Sequence, residues 1–581
     1  MKKILNKIFI LLDKKQKRFM IVLVIMMLIG AILEACSVAV IIPVINIIID
    51  KDAIESSRIM SRVFELSHIS DVKVFAVLVM VLLILMFVIK NIYLYIQQKV
   101  LYNYIYTNQF STSERMMRNY IRRNYEYFLT ADTAVIQRTI TSDVNNMYAL
   151  ILSLLTLVSE VIVFIALAVF LLFTDWRMTV FVATLLAVTL LVIKIVIKPM
   201  MYKAGKDNQD YYSSLFKWIN ESVTGIKDIK IGGRERFFVN EYIRYGTGYV
   251  DAVQKYTLYS NVPRLIIEVV CISGMVLYFI FLYLTGQNSE AILSVLGAVG
   301  VALARLMPCA NRINNQLNNI AYFEPFLMGV SDNLQDEISG ANTDLSVIDI
   351  PKEKLEIKEG IELKNICYKY PETSKYILED ASIEVKVGEA IGIVGTTGAG
   401  KSTIVDVMLG LLHPEKGQVL ADGKDVLTEE NYRKYLKNIG YIPQNIFMLD
   451  DTIKHNIAFG VPDDEIDENR LWEVIKEAQL EDFIKGREDG LDANIGERGI
   501  QISGGQRQRI GIARALYDDP EVLVLDEATS ALDGETEKAV MESINILHGK
   551  KTLVIIAHRL QTIEKCDHVY RIENGVATKE R

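Results

Sequence analysis

Residues Gly395–Thr403 read GTTGAGKST and follow the apolar run Ala390–Val394, AIGIV. The pattern is a glycine-rich phosphate-binding loop, G-x-x-x-x-G-K-[ST], set where a buried strand turns into a helix. Glycines let the backbone close around an anion, and the N–H groups of a helix N-terminus face it with partial positive charge. Gly395, Thr396, Thr397, Gly398, Ala399, Gly400, Lys401, Ser402 and Thr403 are therefore candidate ATP ligands. Lys401 is expected to reach the β- and γ-phosphates, and the Ser402 hydroxyl to sit on Mg²⁺.

Working outward, further motifs stand in a fixed order. Tyr370 sits in CYKYP and offers a flat face to an adenine ring. Gln444, in GYIPQN, is a neutral oxygen ligand for Mg²⁺ or water. Val522–Leu525 reads as a buried strand ending in Asp526 and Glu527. A carboxylate at a strand's C-terminal end can hold Mg²⁺, and the next one can polarise an attacking water as general base. SALD occupies Ser530–Asp533, and His558 closes the strand Thr552–Ala557, where it can sense a γ-phosphate. ISGGQ, Ile502–Gln506, precedes a helix, so Ser503, Gly504, Gly505 and Gln506 form a second anion site. One nucleotide needs only one phosphate loop. The second site is therefore expected to serve a nucleotide held by another copy, with two ATP molecules between two facing domains.

The first half of the chain reads differently. Apolar residues make up 51% of the 581 and charged residues 23%, but long apolar runs fill the first half and charge dominates the last 250 or so. Six runs, about 20–48, 74–95, 149–173, 178–198, 261–284 and 289–310, approach the roughly 20 residues needed to cross a bilayer. Lys2, Lys3, Lys7, Lys14, Lys15, Lys17 and Arg18 precede the first run and predict a cytoplasmic N-terminus. An even number of spans then returns the chain to the cytoplasm before the phosphate loop. The long intervening segments 96–148 and 199–260 are helix-compatible and predict cytoplasmic stalks. Their tips, near Tyr125–Ala134 and Gly225–Arg236, are expected to touch the soluble domain. Residues 54–68 place Ile59, Met60, Val63 and Phe64 on one helical face, either an outer helix on the membrane surface or a loop helix packed on the spans. The boundaries expected are 1–330 for the membrane domain, 331–355 for a polar linker and 356–581 for the nucleotide-binding domain.

Arg305 interrupts the sixth run and Arg312 follows two turns later on the same face. A central arginine costs about 2.5–3.5 kcal/mol on insertion scales, so it is expected to face the bundle interior or water. Past Pro308 come Asn311, Asn314, Asn315, Gln316, Asn318 and Asn319. This polar face suits a wet cavity for an anionic, hydroxyl-rich cargo, with Arg264, Arg305 and Arg312 as candidate substrate ligands. The alternative is internal pairing, for example Arg264 with Glu268 one turn away. The net charge of −8 argues against nucleic acid as a partner. Five cysteines without a CxxC pair argue against a disulfide framework or zinc site.

The ordered soluble motifs resemble the nucleotide-binding domain of ABC transporters. With six spans ahead of them, nearly the whole chain is similar to an exporter half-transporter. The resemblance implies a membrane all-α six-helix transmembrane domain plus a cytosolic α/β P-loop NTPase domain, assembled as a homodimer. It implies Tyr370 as the adenine-stacking residue, Gly395–Thr403 as Walker A, Gln444 as the Q-loop residue and Ile502–Gln506 as the signature. It further implies Asp526 as Walker B, Glu527 as the catalytic carboxylate, Asp533 as the D-loop residue and His558 as the switch histidine. Ile502 replaces the usual leucine of the signature, a change between two apolar residues. RLMPCANRI (Arg305–Ile313), VPRLIIE (Val262–Glu268) and YIPQNI (Tyr441–Ile446) resemble the bacterial lipid-linked oligosaccharide flippases of protein glycosylation. That implies a polyprenyl-diphosphate oligosaccharide flipped across the bacterial cytoplasmic membrane, in contact with membrane lipid. Other cargoes in the same class are lipid A, a hydrophobic drug or a peptide. A different class, an ATP-gated channel or receptor, is disfavoured by the intact catalytic set.

Overall fold

A computed structural model describes residues 1–49, 64, 72–174, 176–284, 289–335, 353–371, 373–526, 542, 544, 546–557 and 563–581. Within some described helices, notably at 35–49 and 289–305, only the backbone is described. By its contacts the chain divides into two units. One comprises Met1–Arg123 and Ala131–Leu345, the other Asn124–Thr130 and Ser346–Arg581.

Every described element of the first unit is helical. In chain order the helices are α1 (Lys2–Leu11), α2 (Lys14–Ile49) and α3 (Val72–Ile121). Then come α4 (Tyr125–Thr130), which belongs to the second unit, α5 (Thr133–Arg138) and α6 (Val144–Thr174). The series closes with α7 (Trp176–Thr224), α8 (Ile226–Gly232), α9 (Glu235–Leu284) and α10 (Ser289–Asn333). A helix of 50 residues, such as α3 or α9, is about 75 Å long, more than twice the roughly 30 Å of a bilayer's hydrocarbon core. Each span therefore runs on into a stalk. Five stretches are long and apolar enough to cross a membrane among the described residues. The expected sixth, in α10, has side chains outside that set up to Arg305. The apolar windows remain largely unburied, with Ile84, Leu85 and Ile195 exposed. That pattern suits lipid as the surrounding solvent. Residues 54–68 fall outside the described residues except Phe64, whose ring meets Phe75 edge-on at 4.9 Å.

Packing inside the bundle uses small residues where backbones meet. A Cβ on Gly205 of α7 would lie 1.9 Å from the Tyr322 carbonyl oxygen of α10, so only glycine allows that approach. Leu186, Ile267, Leu306, Ala310 and Phe326 fill the adjacent core. Lower in the stalks a single π-helical turn, Thr139–Asp143, joins α5 to α6. It is tied by a buried polar network. The Asp143 carboxylate accepts from Arg138 Nε (3.2 Å) and Gln209 Nε2 (2.8 Å). The described cysteines are free thiols, and Cys271, Cys309 and Cys566 are buried.

The second unit is α/β. Its strands among the described residues begin with β1 (Gly360–Tyr368), β2 (Leu378–Lys386), β3 (Ala390–Gly395), β4 (Lys416–Ala421) and β5 (Lys424–Asp425). They continue as β6 (Ile439–Ile442), β7 (Val522–Asp526), β8 (Thr552–Ile556), β9 (His568–Glu573) and β10 (Val576–Lys579). An antiparallel sheet has the order β2-β1-β4-β5 and a larger one the order β10-β9-β3-β8-β7-β6. The larger sheet is parallel except for the β10 edge. Its central strands β7 and β8 are buried at every residue, as a sheet covered on both faces requires. Register aligns Ile442 with Leu525, Asp526 with Ile556 and Ile393 with Ile556. The C-terminal ends of β6, β7, β8 and β3 therefore form one edge, where ligands of open α/β sheets bind.

Candidate nucleotide site and its relatives

At that edge β3 ends in Gly395, whose Cβ, if present, would lie 2.4 Å from the Ile572 carbonyl oxygen. The loop then passes to a helix, α11 (Lys401–Met408), whose N-cap Gly400 adopts φ 102°, a conformation costly for other residues. Lys401 is buried, and its ammonium donates to the Gly395 and Thr396 carbonyl oxygens at 3.0 and 3.2 Å. The charge is thus held directly over the loop. Tyr370 donates to or accepts from Thr403 Oγ1 at 3.0 Å and meets Tyr368 edge-on at 5.4 Å. Its ring therefore flanks the start of α11, beside the phosphate loop.

Asp526 ends β7, nearly buried, and the Tyr441 hydroxyl at the end of β6 hydrogen-bonds to it. Burial first, and the nearby Asp526 charge second, push the Tyr441 phenol up. Asp406 faces Asp526 from α11. Burial first, and the Asp526 charge second, push the Asp406 carboxyl up to about 6. Asp406 lies four residues after Ser402, on the same helical face. Two facing carboxylates at this edge suit a hard cation. Ser402, Gln444 and Asp526 supply oxygen donors of the kind Mg²⁺ takes. Among the described residues no three His, Cys, Asp or Glu converge. A cation here would therefore share phosphate oxygens and water with the protein, as Mg²⁺ on a nucleotide does.

The signature segment is organised by α12 (Gly504–Tyr517). Ser503 Oγ accepts from Gln506 N at 3.3 Å, and Gln506 Oε1 accepts from Ser503 N at 2.9 Å, a complete capping box. The two side chains expected on an anion thus satisfy each other's backbone, leaving the N–H groups of Gly504 and Gly505 at the helix mouth. Ile502 is buried in the core, which explains why an apolar residue suffices there. Arg514, further along α12, donates to the Asn456 carbonyl (2.7 Å), Asn456 Oδ1 (3.2 Å) and the Phe447 carbonyl (2.7 Å). It clamps the signature helix to the chain just past Gln444. Burial lowers its pKa to about 10, so it remains charged at neutral pH.

Asp406, Tyr441 and Arg514 were not singled out in the sequence. Only Asp406 carried a signal, its four-residue spacing from Ser402. The Asn124–Thr130 tip clusters with this unit, where Glu126 Oε1 accepts from His413 N at 3.0 Å. The other tip, α8, groups with the helical unit. Glu527, Asp533 and His558 lie outside the described residues, as does the side chain of Arg305.

In the helical unit Arg312 Nε pairs with Glu160 Oε2 of α6 at 2.8 Å, and its Nη2 donates to Cys309 Sγ at 3.3 Å. Arg312 therefore takes the internal pairing that the sequence left as the alternative to cargo contact, with Glu160 as its partner. Arg264 is exposed and not drawn into this cluster. Glu34 of α2 lies within electrostatic reach of the Arg312–Glu160 pair. A surface concavity of about 470 Å³ along Tyr249–Asn261 lies on one face of α9 and is lined by no charged side chain among the described residues.

Comparison with known proteins agrees with this geometry. The ABC transporter transmembrane region model matches residues 19–299, and the ABC transporter model matches 378–530. An ATP-dependent lipid A-core flippase of Ralstonia nicotianae is 28% identical over 480 residues, covering 80% of this chain and 78% of that one. Flippases of the same name from Pseudomonas fluorescens and Escherichia coli K12 are 30% and 28% identical, over 70% and 73% of this chain and 65% and 71% of theirs. A solved bacterial Atm1-family ABC exporter with ATP bound shares the fold, with TM-score 0.78 and 22% identity over 97% of this chain and 95% of that one. Two family models, the relatives and the common fold agree: the chain belongs to the ABC transporters, as an exporter half-transporter whose ATPase domain couples ATP hydrolysis to transport.

Proposed function

We propose that this exporter is a flippase of the bacterial cytoplasmic membrane that moves a lipid carrying a phosphorylated saccharide headgroup. The observation that carries the reading is the polar stripe of α10. Arg312, Asn311 and Asn315 occupy a helix that is otherwise part of the bundle core, and Arg312 is half exposed despite its partner. A guanidinium offers fork-shaped donors matched to phosphate, and the amides suit hydroxyl groups. The relatives named above are lipid A-core flippases rather than oligosaccharide flippases. A lipid A-type glycolipid is therefore the leading cargo. The polyprenyl-diphosphate oligosaccharide, favoured by the resemblance of Arg305–Ile313, is the second.

In this mechanism Lys401 and the loop N–H groups hold the phosphates, while Ser402, Gln444 and Asp526 hold Mg²⁺. Glu527 activates water, and His558 responds to the γ-phosphate. Ser503–Gln506 and Asp533 meet the nucleotide of a second copy in a homodimer. Exposed Ile226 and Ile231 on α8, with nearby Phe237, offer an apolar tip that a second copy would cover. ATPase stimulation in proteoliposomes tests the cargo. Lipid A-core glycolipid is expected to raise turnover several-fold over empty liposomes, roughly the effect of one or two charge-assisted hydrogen bonds. A response confined to polyprenyl-diphosphate saccharides selects the second reading. A response to uncharged drugs alone contradicts both.

A further inference from the structure

Where α1, α7 and α10 meet, a cavity of about 130 Å³ is lined by Ile4, Lys194, Lys198, Asn314 and Asn318, among others. Lys194 and Lys198 lie four residues apart on α7 and so share one face. Neither has a carboxylate partner among the described residues. Asn314 is 2% exposed, and its Nδ2 is a buried donor with no hydrogen-bond partner among the described residues. Asn318 Nδ2 is directed to the Tyr259 carbonyl at 3.5 Å. The cavity thus gathers two ammonium groups and an unmet amide donor. Lysines at the end of a span commonly extend toward the interface on their own account. That habit explains their exposure but not a buried amide left without an acceptor.

The complement to such a set is a compact, multiply charged group that only accepts hydrogen bonds. We infer that the cavity binds the phosphate of an anionic membrane lipid. Its size admits a phosphate but not a saccharide, and Ile4, Leu317 and Ile320 give it an apolar wall beside the span, where an acyl chain can lie. The site is separate from the Arg312–Glu160 pair, and its existence does not depend on which lipid is transported.

The test is a titration of the full-length protein in detergent, by native mass spectrometry, with phosphatidic acid and with phosphatidylcholine of the same chains. The wild type is expected to take up one saturable phosphatidic acid per chain at least about tenfold more tightly than phosphatidylcholine, the scale of one charge-assisted contact. K194Q/K198Q, a change at exposed positions, is expected to abolish that preference while its thermal midpoint and phosphatidylcholine uptake stay as in the wild type. K194E/K198E should exclude phosphatidic acid altogether. Equal affinity in wild type and K194Q/K198Q would overturn the site. Displacement of the lipid by millimolar inorganic phosphate would overturn the assignment to a lipid in favour of free phosphate. Loss of cargo stimulation with this preference intact would count against the proposed function alone.

Discussion

At the scale of single residues, the informative feature is that Arg312 is already answered by Glu160 at 2.8 Å. An arginine within a bundle is costly unless paired, so the carboxylate stabilises the resting protein. It also occupies the position a phosphate would take. An anionic headgroup must then compete with Glu160, and a neutral one gains nothing from Arg312. Glu160→Gln keeps the size and removes the competitor. Half-maximal ATPase stimulation by anionic glycolipid is expected to occur at roughly tenfold lower concentration, the scale of one charge-assisted bond. The response to zwitterionic amphiphiles should be unchanged. An unaltered anionic response would mean that the pair only braces the bundle. The same lesson applies in the soluble unit. The phosphate loop was legible because all of its chemistry is contiguous in sequence, with the glycines, Lys401 and Ser402 within nine residues. Tyr441 and Arg514 were not legible, because their significance comes from tertiary neighbours, Asp526 and the Asn456–Phe447 carbonyls.

At the scale of elements, two places carry predictions. The first is the α7–α10 crossing at Gly205, where an added methyl group would meet the Tyr322 carbonyl oxygen at 1.9 Å. Gly205→Ala must push the helices apart, at a cost of about 1–3 kcal/mol typical of overpacking. A lowered thermal midpoint of the detergent-solubilised protein is expected, and an unchanged one would show that the crossing has slack. The second is the short helix Ile453–Ile457, capped by Thr452. His455 lies between Asp463 and Asp451, 2.8 Å from each. The hydrogen bond to Asp463, then that to Asp451, holds the imidazole above its ordinary value of 6.5. A raised value means that the stabilisation is fully present below pH 6.5 and fades as pH rises through the folded-state value. The groups are largely exposed, so the effect is small. The stability difference between wild type and His455→Gln should shrink between about pH 6 and 8; a difference independent of pH would remove the charged imidazole from the account. Long helices were legible as apolar runs continued by polar, glycine-poor segments. The π-turn at Thr139–Asp143 was not, because it depends on Arg138 and Gln209 closing on Asp143.

At the scale of the whole molecule, the sequence divides the work as the fold does. An apolar half forms helices too long for the bilayer, and a charged half forms an α/β unit whose phosphate loop and Asp526 lie at one edge of its parallel strands. That division was readable because solvent and lipid demand opposite surfaces. The cargo was less readable. A phosphate on a saccharide can be recognised by the same arginine and amides whatever lipid bears it, so the two proposed cargoes differ in their lipid rather than in these contacts. The central claim is that ATP turnover moves such a lipid between leaflets. The direct measurement is leaflet accessibility of a headgroup-labelled lipid A-core glycolipid in proteoliposomes, followed after adding ATP and Mg²⁺. Wild-type protein is predicted to relocate the label in step with ATP hydrolysis. Glu527→Gln, which removes the proposed general base and leaves the phosphate loop untouched, should slow both by at least about 100-fold. Continued hydrolysis by the wild type with no relocation of this lipid or of a polyprenyl-diphosphate saccharide would contradict the account.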